Sequence, residues 1–97
     1  MFGLSDDDFI FVKSTLQRYL TPSTHVFVFG SRSRGDHHQF SDLDLMLETQ
    51  ESCSIDICQL QEEFEESRLP IKIDIVHYDD YANEYRDSYE KDKIRLL

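Results

Sequence analysis

Apolar positions along this chain change period several times, and each change marks an element. Phe9, Val12, Leu16 and Tyr19/Leu20 recur at helical spacing. Ser5, with Asp8 three residues on and acidic side chains filling the first turn, makes a weak capping box ahead of them. Thr21-Pro22 should stop that helix, because the residue before a proline is pushed out of the helical region. The run HVFVF, His25 to Phe29, is β-branched and aromatic between turn formers, and predicts a buried strand. Gly30 ends it. Ser31 is suited to cap one short helical turn, and Gly35 to close it in the left-handed conformation. A polar loop follows, then a second strand over 42–47. An amphipathic helix is expected from about 54 to 67, with Ile57, Leu60 and Phe64 on one side. Pro70 separates it from a third strand over 71–77. The charged tail, 81–97, reads as helical, with Tyr81, Tyr85, Tyr89 and Leu96 spaced along it.

Side chains alternate faces along a strand. Asp42, Asp44 and Met46 therefore share one face, and Leu43, Leu45 and Leu47 the other. In the third strand Lys72, Asp74 and Val76 lie opposite Ile71, Ile73 and Ile75. The aliphatic faces should pack under the helices and leave the carboxylates together on the open side. The expected fold is α/β (α+β): a two-layer sandwich, a small mixed β-sheet with helices on one side. At 97 residues the chain should be a single domain, 1–97, with a modest core.

Composition narrows the function. Apolar residues are plentiful and Gly and Pro scarce, which argues against disorder. No apolar run approaches a membrane span, and MFGLSDDDF has no basic segment before an apolar one, so the expected compartment is cytoplasmic. The net charge of −10 repels phosphate backbones and disfavours direct nucleic-acid binding. It suits a basic protein partner or a metal-carried substrate, and it also serves solubility. Cys53 and Cys58 lack metal-site spacing; Cys58 reads as a small core-facing residue and Cys53 as loop.

The chemistry lies in GSRSRGDHHQFSDLDL. Three carboxylates brought together raise one another's pKa unless a cation joins them. Mg²⁺ is the usual cation where substrate phosphates complete the shell, and two such ions can clamp an in-line displacement at phosphorus. Asp42 and Asp44 are candidates to touch both ions, and Asp74 to serve the attacking hydroxyl. Gly30 lets backbone approach a triphosphate, Ser31 can donate a hydrogen bond, and Arg32 can pair with phosphate oxygens as a planar fork. Arg34 could do the same or face a partner.

Gly30-Ser31, Asp42-x-Asp44 and a later strand-borne Asp74 resemble the signature of the DNA-polymerase-β-type nucleotidyltransferase superfamily, and the fuller GSRSRG and SDLDL text is similar to its minimal nucleotidyltransferase branch. The resemblance runs from about His25 through Asp74. It implies Mg²⁺ dependence, ATP as substrate and nucleotidyl transfer to a hydroxyl. It further implies an antitoxin role, with a tyrosine of a HEPN-domain ribonuclease toxin as the AMP acceptor. No extra domain for tRNA, DNA or an antibiotic is expected within these 97 residues.

Blander roles compete. Lys72 could simply pair with Asp74, Ser31 could be only a cap, and Arg32 and Arg34 could be surface residues. Ser41 is suited to hold the start of the strand or orient Asp42. His25, His37, His38 and His77 read as structural. The tyrosines at 81, 85 and 89 read first as core packing, then as a partner or homodimer surface. Two other functions stay open: a non-catalytic antitoxin that occludes its partner, and a small-molecule nucleotidyltransferase whose acceptor site lies at a dimer interface.

Overall fold

The computed structural model describes residues 2–49 and 57–97. Helix α1, Asp6–Tyr19, begins where expected, with the Ser5 hydroxyl accepting from the Asp8 N–H. It ends at Leu20, whose backbone has already turned extended ahead of Pro22. Strand β1, His25–Phe29, leads into α2, Ser31–Arg34. Gly30 is the residue that caps α2, at φ 75°, and Ser31 is its first helical residue; the expected Ser31 cap is therefore displaced by one position. Gly35 closes the turn in the left-handed conformation and donates to the Ser31 carbonyl.

Strand β2 spans Leu43–Glu48 and β3 spans Ile73–His77, so Asp42 and Ile71 sit just ahead of the strands rather than within them. Helix α3, Ile57–Glu65, buries Leu60 and Phe64. Its expected start, with Cys53, falls outside the described residues. Cys58 faces solvent, a correction to the core reading. The Ile57, Leu60, Phe64 stripe sets the buried side of α3, and residue 58 lies a helical step off it.

The sheet order is β3-β2-β1-β4, with β2 and β3 parallel and the other pairs antiparallel. Val26, Val28, Leu43, Leu45, Leu47 and Ile73 line one face and form the core with Val12 and Leu16 of α1 and Leu60 and Phe64 of α3. This is the expected mixed sheet under helices.

The tail departs from the single helix expected. Two 3-10 turns, Tyr78–Asp80 and Asn83–Tyr85, precede a short α4, Arg86–Asp92, and a two-residue β4, Ile94–Arg95. This segment crosses the face opposite α1 and α3. The Tyr89 ring meets Phe29 edge-on at 5.3 Å, its hydroxyl donates to the Glu48 carboxylate, and Lys93 lies over the Phe27 ring. Helices therefore cover both faces, the second only in part, where helices on one side alone were expected; the Tyr89 ring needs Phe29 to bury it.

Candidate active site

Register brings the carboxylates together. Asp44 and Asp74 are paired positions on the parallel strands β2 and β3, so their side chains leave the same face of the sheet. Phe29, the last residue of β1, is the partner of Asp44 on the other side. Gly30 follows directly, and a Cβ there would collide with the Asp44 carboxylate. The glycine thus answers two demands, a positive φ and the close approach of an acid.

Asp42 is exposed just before β2, yet its charge reaches Asp44. Burial first, then Asp74 and Asp42, push the Asp44 carboxyl up to about 6, against a smaller opposing pull from Arg34. The three acids form one electrostatic unit. Asp74, 41 % exposed, is turned toward Lys72 at 3.6 Å, the pairing that the sequence left open. Among the described residues no three His, Cys, Asp or Glu side chains are drawn together tightly enough to enclose an ion. The donor set nevertheless fits a hard divalent cation, because it offers carboxylate oxygens whose mutual repulsion such an ion relieves.

Arg32 is where the structure corrects the sequence. It is only 3 % exposed, and its guanidinium is committed to backbone carbonyls: Nε donates to Ser41 at 3.0 Å, Nη1 to Phe2 at 2.9 Å and Nη2 to Gln39 at 3.1 Å. Burial pushes its pKa down. A fork spent on carbonyls cannot also grip phosphate; Arg32 instead braces the loop that delivers Asp42. Ser41 assists, its hydroxyl accepting from the His38 N–H at 2.8 Å. Arg34 points outward, paired with Asp36 at 3.1 Å and with Asp92 of α4 at 2.9 Å. That second pair ties α2 to α4 across the end of β1. His25 contacts Arg95, and His77 caps the turn after β3, both structural roles as expected.

Gln61 escaped the sequence reading, and Tyr81 was read as core packing or a partner surface rather than as a neighbour of the acids. The Gln61 amide of α3 donates to the Ile73 carbonyl and accepts from the Ile75 N–H, gripping the edge strand β3 on both sides of Asp74. A polar residue inside the 57/60/64 stripe was the available signal. Tyr81 stands against Phe29 at 5.7 Å, close enough to Asp44 for that carboxylate to help raise the phenol's pKa after burial.

Comparison with known proteins shows the family. Residues 11–97 match the family described as "Polymerase beta, Nucleotidyltransferase". The chain is 32% identical over 89 residues to the probable protein adenylyltransferase MntA of Haemophilus influenzae, covering 91% of this chain and 77% of that protein. A toxin–antitoxin crystal structure with AMP-PNP superposes with a TM-score of 0.70 at 20% identity, over 96% of this chain and 73% of that one. The complex of a tri-AMPylated Shewanella oneidensis HEPN toxin with its MNT antitoxin gives 0.59 at 16% identity, over 92% and 71%. At such identities the structures speak for the fold. With the family match spanning nearly the whole chain, the protein belongs to the polymerase-β nucleotidyltransferase family.

Proposed function

We propose that this protein is an antitoxin that transfers AMP from ATP to a tyrosine hydroxyl of a cognate HEPN-domain ribonuclease toxin, in a Mg²⁺-dependent reaction. The observation that carries the reading is the pairing of Asp44 with Asp74 in register, with Gly30 against Asp44. The likeness to a probable protein adenylyltransferase supports AMP as the group moved. The net charge of −10 suits a ribonuclease partner, whose own surface must meet RNA.

Asp42 and Asp44 would hold the metal, with Asp74 completing the set once it swings from Lys72. Bound Mg²⁺, two ions in the family's manner, would neutralise charge on the triphosphate and lower the pKa of the acceptor hydroxyl. Gly30, with no side chain to obstruct approach, and Ser31 would hold the triphosphate through their backbone N–H groups, with the Ser31 hydroxyl as a further donor. The tyrosine oxygen then bonds to the α-phosphorus, the bond to the bridging oxygen of pyrophosphate breaks, and pyrophosphate leaves. The proton of the hydroxyl would pass to a carboxylate oxygen, the role proposed for Asp74 once it leaves Lys72. Fixed alignment of these groups supplies much of the acceleration.

The test uses α-phosphate-labelled ATP and Mg²⁺, with the product of the neighbouring gene as acceptor. Label should appear on the neighbour's tyrosine with the native protein and vanish with the Asp42→Asn/Asp44→Asn variant. Neutralisation that survives in that variant without label would replace catalysis with occlusion. Label on an added small alcohol, with none on the neighbour, would favour the small-molecule reading.

A further inference from the structure

The reacting end of the site is built from acids, but a nucleoside triphosphate also carries a base, and nothing described so far receives it. From Asp44 a run of aromatic rings leads outward. Phe29 is the cross-strand partner of Asp44. Tyr81 meets Phe29 edge-on at 5.7 Å, and Tyr85 lies against Tyr81 at 6.1 Å. The run is anchored on its inner side by Tyr89, which is 1 % exposed, touches both Phe29 and Tyr81, and spends its hydroxyl on Glu48. Its outer end is open, for Tyr85 is 55 % exposed. A large ring left in water beside a buried aromatic cluster offers a face with no core role.

We infer that Tyr81 and Tyr85 form the seat on which the base of the substrate nucleotide stacks, while its phosphates lie toward Asp44. The inference rests on nucleotidyl transfer at this site, and adds to it the element that receives the base. Stacking needs only a π-face, so the seat holds any base and favours the larger purine surface. Tyr85 is a binding residue in this scheme, and its ring matters where its hydroxyl does not.

Binding to the full-length chain in the presence of Mg²⁺ tests it, measured by calorimetry with ATP and with inorganic tripolyphosphate, which has no base. Tyr85→Ala should weaken ATP by roughly 5- to 100-fold and leave tripolyphosphate unchanged. Tyr85→Phe should bind ATP as the native protein does. Equal ATP affinity in Tyr85→Ala, equal weakening of both ligands, or lost affinity in Tyr85→Phe would overturn the seat. So would unchanged ATP affinity together with weaker binding to the toxin, which would make the ring a partner contact. Tyr85-dependent ATP binding without label on any toxin would sink the toxin-modifying reading and keep the seat. Labelled toxin with Tyr85-independent ATP binding would do the reverse.

Discussion

The two faces of the sheet are built from the same strands and obey opposite rules. On the face toward α1 and α3, Val26, Val28, Leu45 and Leu47 are completely buried and interlock with Leu16 and Leu60. On the other face Asp44, Asp74, Phe29 and Tyr81 leave acids crowded together and a ring only half covered. One face is given wholly to packing; the other packs Met46 and Tyr89 and leaves its acids half-buried beside them. Stability and activity should therefore be separable by face, which ordinary small domains with one shared core do not allow.

The separation can be broken most forcefully at Leu45. Leu45→Ala opens a cavity in the aliphatic face and should cost about 2–5 kcal/mol in denaturant unfolding. The carboxylates next to it should keep their chemistry wherever the fold survives; a stable Leu45→Ala protein without activity would refute the division. Arg32→Met comes next. It strands carbonyls of Ser41, Phe2 and Gln39, and should cost about 3 kcal/mol, whereas Arg34→Gln, at a 46 % exposed site, should leave the melting temperature unmoved. Equal effects from the two arginines would show that Arg32 does not brace the loop.

Gly30→Ala forces a side chain into left-handed backbone and against Asp44. It should destabilise by about 1–3 kcal/mol and remove most transfer activity, the position where the two rules meet. Asp44→Asn is the sharpest case, because it should abolish transfer and raise stability. The folded carboxyl titrates at about 6, against 3.8 as its ordinary value, so the folded state holds the proton more tightly. Stability in metal-free buffer should then rise as pH falls from about 6 to about 4, and the full cost is present above that window. Taken without screening, a shift of that size would cost about 3 kcal/mol; water at this half-buried site screens it to about 1 kcal/mol. Urea titrations of both proteins at pH 7 and pH 4.5 check it: the gap should narrow to about a third at the lower pH, and a gap of opposite sign would remove the electrostatic account.

What the sequence made legible follows the same division. Period-two and helical spacing placed Leu43, Leu45 and Leu47 in the core, and the Ser5 and Pro22 signals bounded α1, because these are local facts. The convergence of Asp44 with Asp74 was legible too, since alternation fixes a face once the strands pair. Arg32 was misread because its carbonyl partners come from a remote N-terminal segment and a loop, and no short-range pattern announces them. The tyrosines stepping by four looked like one helix. Aromatic packing onto Phe29 satisfies the same spacing with two 3-10 turns and a short helix. Cys58 was misplaced although the helical stripe already excluded it.

The parallel register of β2 with β3 has a consequence for how preparations of this protein behave. A slip of one residue would send Asp74 to the aliphatic side and leave Asp44 without its neighbour, so a misregistered molecule has an incomplete site rather than a weakened one. Gln61, holding backbone on both sides of Asp74, acts against such a slip. Catalysis then reports on folding fidelity. A sample of mixed register would contain fully active and dead molecules in proportion, and its specific activity would count the correctly aligned chains.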